Sequence, residues 1–440
     1  MIIGISSCLQ RSPRRLFRRA FFSQFARLAT SSQRRQRQYV CGVEAEDPHD
    51  YLRGIYFPVE LRSTFKCGRY LVLHKLGWGG YATVWLAKDT LDGSNVALKI
   101  IRKDVRTHEL DIMRHLRDSS IAHANVTHPG RRFVVKLLDD FEISASHRCL
   151  VLEVMGRSIA SRAEEFAGDR LPANMAREVT YQVALGLDYL WKCRVAHGDL
   201  HGGNVLFAAP ATSTLAEEQI KYYLGEPELG SVQRLDGDPL SEPSVPPYLV
   251  RPRTFRGCNE EIRIVDLGAA FFHDTPPKEL HTPLHMHAPE ALFNQPLSPF
   301  VDLWSMGCLL YEAMTGRSFI SSMFADRFST IEEIQSHIGP APVGWINGLD
   351  DTVRKRINDG ASLRSIALDR YLRLAYDQDD AALIEADEDD YPIEEYEKAK
   401  GELTDAELAA LSVTLSSLLT YEPTSRNTPD ALLRSPWFER

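Results

Sequence analysis

No acidic residue precedes Glu44, no apolar run approaches 18 residues, and no two cysteines stand in Cys-x-x-Cys spacing. Each absence excludes something. A membrane-spanning helix needs about 20 consecutive apolar residues, so no membrane span is expected. The seven cysteines are scattered, and they read as buried or free thiols of a reducing, intracellular compartment. The acid-free stretch, residues 1–43, holds nine arginines. With a formal net charge of -9 overall and +9 on that stretch, the remainder carries -18. Arg14, Arg15, Arg18 and Arg19 interleave there with Phe17, Phe21, Phe22, Phe25 and Leu28. This pattern suits a mitochondrial presequence, or else a disordered basic tail serving as a nuclear-import or RNA-contacting patch. On either reading residues 1–45 should stay outside the fold. The converse shortage lies at Asp377–Glu407, where only Lys398 and Lys400 oppose 14 Asp or Glu. Such a run is ordinarily a solvated, mobile insertion.

Between these extremes, 440 residues with 44% hydrophobic and 25% charged composition can bury substantial cores. The chemistry is carried by His197-Gly-Asp-Leu-His-Gly-Gly-Asn204, followed by Ile264-Val-Asp-Leu-Gly268. Phosphoryl transfer needs one carboxylate to accept the substrate hydroxyl proton, an amide oxygen five residues on for a magnesium ion, and a second carboxylate from the next strand pair. Asp199, Asn204 and Asp266 fit those roles in that order. Upstream, Lys75-Leu-Gly77-Trp-Gly79-Gly80-Tyr-Ala82-Thr-Val84 has the form of a phosphate-binding loop. Gly77, Gly79 and Gly80 would let the backbone approach phosphates, and Val84 would cover the adenine of ATP. Such a loop is weak evidence alone. It gains weight from Val96-Ala97-Leu98-Lys99, the next strand, whose lysine would grip the α- and β-phosphates. Glu109 opens a segment with apolar residues at 112, 113 and 116, a helical spacing, and is the expected ion-pair partner of Lys99.

The back half points to protein rather than small-molecule substrates. Ala288-Pro289-Glu290 would close an activation segment. The run Cys308 to Met314 is too apolar all round for a surface helix. It should be buried, with Asp302 near its N-terminal end binding catalytic-loop amides. Arg426, shortly before Pro436-Trp437-Phe438, should pair with Glu290.

Together these motifs resemble the eukaryotic protein kinase family and, within it, the SR-protein kinases. Leu76-Gly-Trp-Gly-Gly-Tyr-Ala-Thr-Val-Trp-Leu-Ala87 is similar to that subfamily's phosphate loop with its internal tryptophan, and Asp-Leu-Gly stands for Asp-Phe-Gly as it does there. The resemblance implies an α+β, two-lobed protein-kinase fold, with a β-rich small lobe at 68–155 and a mainly helical large lobe at 156–440. It also implies a spacer at 208–260, which is rich in turn residues and not expected to fold alone. By similarity to the subfamily's hinge, the carbonyl of Glu153 and the amide of Met155 meet the adenine edge, with Leu152 at the gatekeeper position. The implied cofactors are ATP and Mg2+. The implied partners are Arg/Ser-rich protein substrates, docked on an acidic groove that Asp379, Asp380 and Asp387 to Asp390 could extend. A monomer of the cytoplasm or nucleus, linked to mRNA processing and without direct nucleic-acid binding, completes the expectation.

Three departures stand out. Ala82 replaces the third loop glycine. Gly198 replaces the arginine that in many kinases receives an activation-loop phosphate, so constitutive activity is expected. His201 occupies the place of a lysine that contacts the γ-phosphate, and is expected to donate a hydrogen bond there with a strength that varies with pH. The same loop resembles that of aminoglycoside and choline phosphotransferases, which leaves small-molecule phosphorylation as the alternative. A catalytically dead binding module is the other alternative, although Lys99, Asp199, Asn204 and Asp266 are all retained.

Overall fold

A computed structural model describes residues 39–105, 108–209, 215–255, 260–280, 282–320, 326–359, 368–373 and 403–439. Residues 1–38 of the basic leader and 377–402 of the acidic stretch lie outside them, and with these the leader's apolar face and the acidic docking residues.

The chain enters as strand β1 (Tyr39–Cys41) and helix α1 (Pro48–Leu52), then builds a six-stranded antiparallel sheet. Its strands are β2 (Thr64–Phe65), β3 (Tyr70–Trp78), β4 (Ala82–Asp89), β5 (Asn95–Ile101), β6 (Leu137–Ser144) and β7 (His147–Leu152), in the spatial order β2-β3-β4-β5-β7-β6. Helix α2 (Glu109–Asp118) crosses between β5 and β6 and buries Glu109, Ile112, Met113 and Leu116, the face its spacing predicts. This is the β-rich small lobe. Every residue of β5 is buried, because both faces of the sheet are covered. On one face Val72, Trp85, Leu98 and Val151 pack together; on the other, Leu86 meets residues of the spacer.

The large lobe begins after β7 with β8 (Met155–Ser158) and helix α3 (Ala173–Lys192). Helix α3 buries Ala176, Val179, Thr180, Val183, Ala184 and Leu187, an i, i+3, i+4, i+7 stripe. Short strands β9 (Val195–Ala196) and β10 (Val205–Ala208) flank the catalytic loop. The spacer then contributes helix α4 (Glu217–Leu224), β11 (Leu229–Arg234) and β12 (Tyr248–Val250), after which the chain returns as β13 (Ile262–Ile264) beside β10. Helix α5 (Val301–Thr315) is buried along its length except at Glu312, as its apolar run predicts. Helices α6 (Arg327–Ile338) and α7 (Asp405–Ser416) complete the packing. One core of buried side chains runs from Ile112 and Leu116 through α3 and α5 to Leu415 and Trp437. Each fully buried Leu, Ile or Phe there contributes roughly 1.5–3 kcal/mol.

Two boundaries differ from expectation. The leader was expected to stay free up to residue 45, yet Tyr39–Cys41 pairs with Cys41↔Val232 register on spacer strand β11, and Tyr39 is buried. Tyr39, Tyr51 and Tyr56 form an apolar cluster with Val232, Val245 and Leu249, which outweighs the polar composition around them. The spacer, expected to be dominated by turns and not to fold alone, forms α4, β11 and β12 and docks on the small lobe. Leu215, Ile220, Leu224 and Phe255 pack on Leu86 and Val154, and Val250 joins the cluster of Val59 and Trp85. Lys88 and Asn95 both donate to the carbonyl of Leu215. At the end of the acidic stretch, Asp405 and Glu407 lie in the first turn of α7. The Glu407 carboxylate accepts from the amide of the N-cap residue Thr404 and pairs with Arg177 at 2.9 Å, which is a structural use of its charge.

Candidate active site

Strand β5 carries Lys99 into the cleft opposite Val84 of β4, and the first turn of α2 brings Glu109 to meet it. Lys99 Nζ lies 2.6 Å from Glu109 Oε1 and 2.8 Å from Asp266 Oδ1. Burial opposes the charge on Lys99, but the carboxylates of Asp266 and Glu109 outweigh it and hold the ammonium above its ordinary range. For Asp266 burial likewise opposes ionisation, and Lys99 more than offsets it, so the carboxyl titrates below its usual range. Asp266 follows β13 in the left-handed region, φ 61°, a conformation that aspartate tolerates better than most residues. Its side chain accepts from the amide of Gly268 at 3.3 Å.

The catalytic loop hangs from Asp302 at the start of α5, whose carboxylate accepts from the amides of His197 at 2.6 Å and Gly198 at 2.8 Å. Gly198 has φ +75°, and a Cβ there would stand 2.5 Å from the carbonyl oxygen of Ala269. Backbone and packing therefore both exclude the arginine found here in other kinases. Asn204 Nδ2 donates to the Asp199 carbonyl at 2.9 Å and to its Oδ2 at 3.3 Å. Asp199 Oδ1 is buried and has no hydrogen-bond partner among the described residues. Burial, then the field of Asp266, pushes the Asp199 carboxyl up to about 7.

His201 accepts from the Gly203 amide through Nδ1 at 3.0 Å, which leaves its proton on Nε2, 3.8 Å from Asp199 Oδ2. Burial, then the neighbouring His197, pushes the imidazole down to about 4. The bond from the Gly203 amide fixes the tautomer.

Above these residues β3 and β4 form the glycine-rich hairpin, closed by a bond from the Gly79 amide to the Ala82 carbonyl at 3.0 Å. A Cβ added at Gly77, Gly79 or Gly80 would meet nothing within 4 Å, so the hairpin leaves open space. At its tip Tyr81 is 48% exposed, and burial, followed by the fields of Asp199 and Asp266, raises its phenol. The motif pattern did not single out Tyr81; an aromatic between two glycines and Ala82 was the available signal. At the hinge Ala97 pairs with Leu152, and Met155 pairs with Ala208 of β10. The Glu153 side chain turns aside to accept from the amide of Lys136 at 3.0 Å. Farther off, Arg426 forks onto Glu290 at 2.6 and 2.8 Å, both side chains fully buried, as expected.

Among the described residues no three His, Cys, Asp or Glu side chains form a ready-made ion cage. That suits magnesium shared with a nucleotide, which takes one or two protein ligands and completes its shell with phosphates and water. Beside Asp199 a cavity of about 360 Å3 opens, lined by Glu164, Asp169, Glu312, His201 and His285 among others.

The lobes, the catalytic loop and the lysine between two carboxylates define a protein of the two-lobed kinase class. The family model for the protein kinase domain matches residues 70–438, and the chain belongs to that family. Within it the chain is similar to SR-protein kinases. It is 37% identical over 172 residues to SRSF protein kinase 3 of Mus musculus, covering 37% of this chain and 29% of that protein. Protein kinase dsk1 of Schizosaccharomyces pombe is 34% identical over 185 residues, covering 38% of this chain and 34% of that protein. The chain therefore spans about a third of the length of these relatives. Serine/threonine-protein kinase SRPK of Physarum polycephalum is 26% identical over 424 residues, covering 90% of this chain and 91% of that protein. A kinase-domain crystal structure covers 88% of this chain and 99% of its own, with a TM-score of 0.56 and 20% identity, and bears on the fold alone. No helix among the described residues is long and apolar enough to cross a membrane.

Proposed function

We propose that this protein is an ATP-dependent serine/threonine protein kinase that phosphorylates Ser or Thr in Arg-rich protein substrates. The observation that carries the reading is Lys99 bonded at once to Glu109 and Asp266, at 2.6 and 2.8 Å, the ion-pair arrangement that a kinase needs in place before transfer. ATP would supply the phosphoryl group, and Mg2+ would neutralise charge on its phosphates. Asp266 and Asn204 would hold the metal, Lys99 the α- and β-phosphates, and the backbone of Gly77, Gly79 and Gly80 would lie over them. Val84 and Ala97 would enclose the adenine, with the Glu153 carbonyl and Met155 amide at its edge. Asp199 would then accept the substrate hydroxyl proton. His201 would donate its Nε2–H toward the transferring phosphoryl.

The substrate class rests on the names of the relatives. Cytoplasm or nucleus is the compartment in keeping with these relatives, and the mitochondrial alternative finds no support among them. The test is transfer from labelled ATP to an Arg-Ser repeat peptide, a neutral peptide, and an aminoglycoside and choline panel. Preferential labelling of the Arg-Ser peptide is expected; labelling of the small molecules alone would replace this reading.

A further inference from the structure

Residues 39–59, ahead of the kinase sheet, make contacts that ordinary packing does not require. Glu46 and Lys75 form an ion pair with both side chains fully buried, and Tyr51 adds a hydrogen bond from its hydroxyl to the same carboxylate. Lys75 belongs to β3, the strand that leads directly into Gly77, and its ammonium also sits 5.2 Å from the centre of the Trp85 ring. Farther along the segment, the Ile55 carbonyl accepts from the Lys103 amide and from His147 Nε2, each at 3.1 Å. These bonds pin the chain across the end of β5. Next to them the Tyr56 hydroxyl donates to the carbonyl of Gly79 at 3.0 Å, inside the glycine-rich loop. The Tyr56 ring is held in turn by Arg102, 5.0 Å above its centre, and by Tyr51, with ring centres 5.6 Å apart. Arg102 donates its backbone amide to the carbonyl of Tyr81 at 2.9 Å. The loop is thus gripped on both sides of Gly80.

The segment is itself anchored. Strand β1 pairs with β11 of the spacer, Tyr39↔Arg234 to Cys41↔Val232, and the Tyr39 hydroxyl donates to Glu242 at 3.0 Å. The spacer leaves and re-enters the large lobe at β10 and β13, and β10 also pairs with hinge strand β8. Packed side chains of the spacer thus reach Val154 beside the hinge through Leu215 and Leu224, while its strand β11 pairs with β1.

We propose that Tyr56, with Glu46 and Tyr51 behind it, is a positioning residue that fixes the height of the glycine-rich loop over the nucleotide. The proposal rests on the kinase reading, since it concerns the nucleotide's phosphates. A flexible glycine-rich loop loses conformational freedom when it closes on a ligand, and that loss weakens binding. A hydrogen bond from a rigid neighbour to the loop backbone removes much of that freedom beforehand. Tyr56 touches no reacting atom; it acts through the Gly79 carbonyl.

Tyr56→Phe is the test, because it removes the hydroxyl and keeps the ring against Arg102 and Tyr51. Two readouts are taken on the full chain: KM for ATP and kcat on the best peptide, and amide hydrogen exchange over residues 77–82 without ligand. The expected result is faster exchange at 77–82 alone and a KM for ATP raised roughly three- to tenfold, with kcat changed by less than about twofold. A merely structural role would lower the melting temperature and speed exchange throughout, leaving KM unchanged. That pattern, or wild-type exchange at 77–82 in the variant, overturns the proposal. Glu46→Gln leaves Lys75 unpaired in the interior and is expected to destabilise the whole lobe, so it is not the deciding variant. If the wild-type protein neither binds ATP nor transfers phosphate, the kinase reading fails, while the exchange measurement still decides whether Tyr56 restrains the loop.

Discussion

The catalytic loop rests on buried charge, Asp302 binding the amides of His197 and Gly198 at 2.6 and 2.8 Å. The glycine-rich loop is tied at its edge by single bonds, Tyr56 to Gly79 at 3.0 Å and Arg102 to Tyr81 at 2.9 Å. Near the first, partners are buried: His197 is 0% and Asp302 6% exposed, while Tyr81 over the cleft is 48% exposed. Hydrogen bonds to a charged group contribute about 1.5–3 kcal/mol, against 0.5–1.5 for neutral ones. The floor of the cleft is therefore built not to move, and the roof to be restrained yet able to open. A reaction that needs fixed acid-base geometry and an exchanging nucleotide calls for that division.

The comparison breaks most sharply at the floor. Asp199→Asn is expected to lower the single-turnover transfer rate by about 10²–10⁴-fold, the range for a lost general base, with nucleotide affinity nearly intact. Asp266→Asn should lose transfer to a similar extent and also weaken MgATP binding, because it removes a metal ligand and a partner of Lys99. Titration calorimetry with MgATP separates the two, and full activity in either variant would discard the assignment.

Next in size is the brace beneath the floor. Arg426→Met leaves Glu290 charged and unpaired at zero exposure and should cost about 3–5 kcal/mol in urea unfolding. The double variant with Glu290→Leu should recover part of that loss. Equal losses in single and double variants would show that the pair matters for shape rather than charge.

A smaller effect comes from pH. His337, buried against Tyr371 and Phe319, is pushed down to about 4 by burial. Its folded value lies below the ordinary 6.5, so the unfolded chain takes up the proton first as pH falls. Stability present above pH 6.5 is then lost as pH drops toward 4, by about 1 kcal/mol between pH 6.5 and 5.5. His337→Phe should flatten that part of the stability profile; an unchanged slope would mean that the other buried histidines carry it.

The smallest expected effect tests the roof. Tyr81→Ala should raise KM for ATP by about two- to fivefold with little change in stability, since an exposed tip contributes a contact and no core packing. A loss of transfer as large as that of Asp199→Asn would place Tyr81 with the floor and remove the distinction.

Much of this was legible in the chain because the relevant signals are local. The spacing from Asp199 to Asn204, the helical face 109, 112, 113, 116 and the unbroken apolar run through Leu309 and Leu310 each depend on residues close in sequence. The ion pairs Lys99–Glu109 and Arg426–Glu290 and the Asp302 contacts followed from motif order within a resembled family, and the structure brings those residues into bonding distance. What the sequence alone could not determine depends on partners far apart along it. Tyr39 looked like the end of a basic tail until β11, nearly two hundred residues on, offered it a strand edge. The spacer's scattered Leu215, Ile220 and Phe255 lack a periodic pattern and become a face only against Leu86 and Val154. His201 seemed a pH-dependent stand-in for lysine because an isolated imidazole titrates near neutrality. Burial near His197 lowers its titration and the Gly203 amide fixes its tautomer, and both are set by the folded loop. Composition and spacing determine which groups are available; tertiary structure decides which are desolvated and what they face, and charge state and hydrogen-bond direction follow from those two conditions.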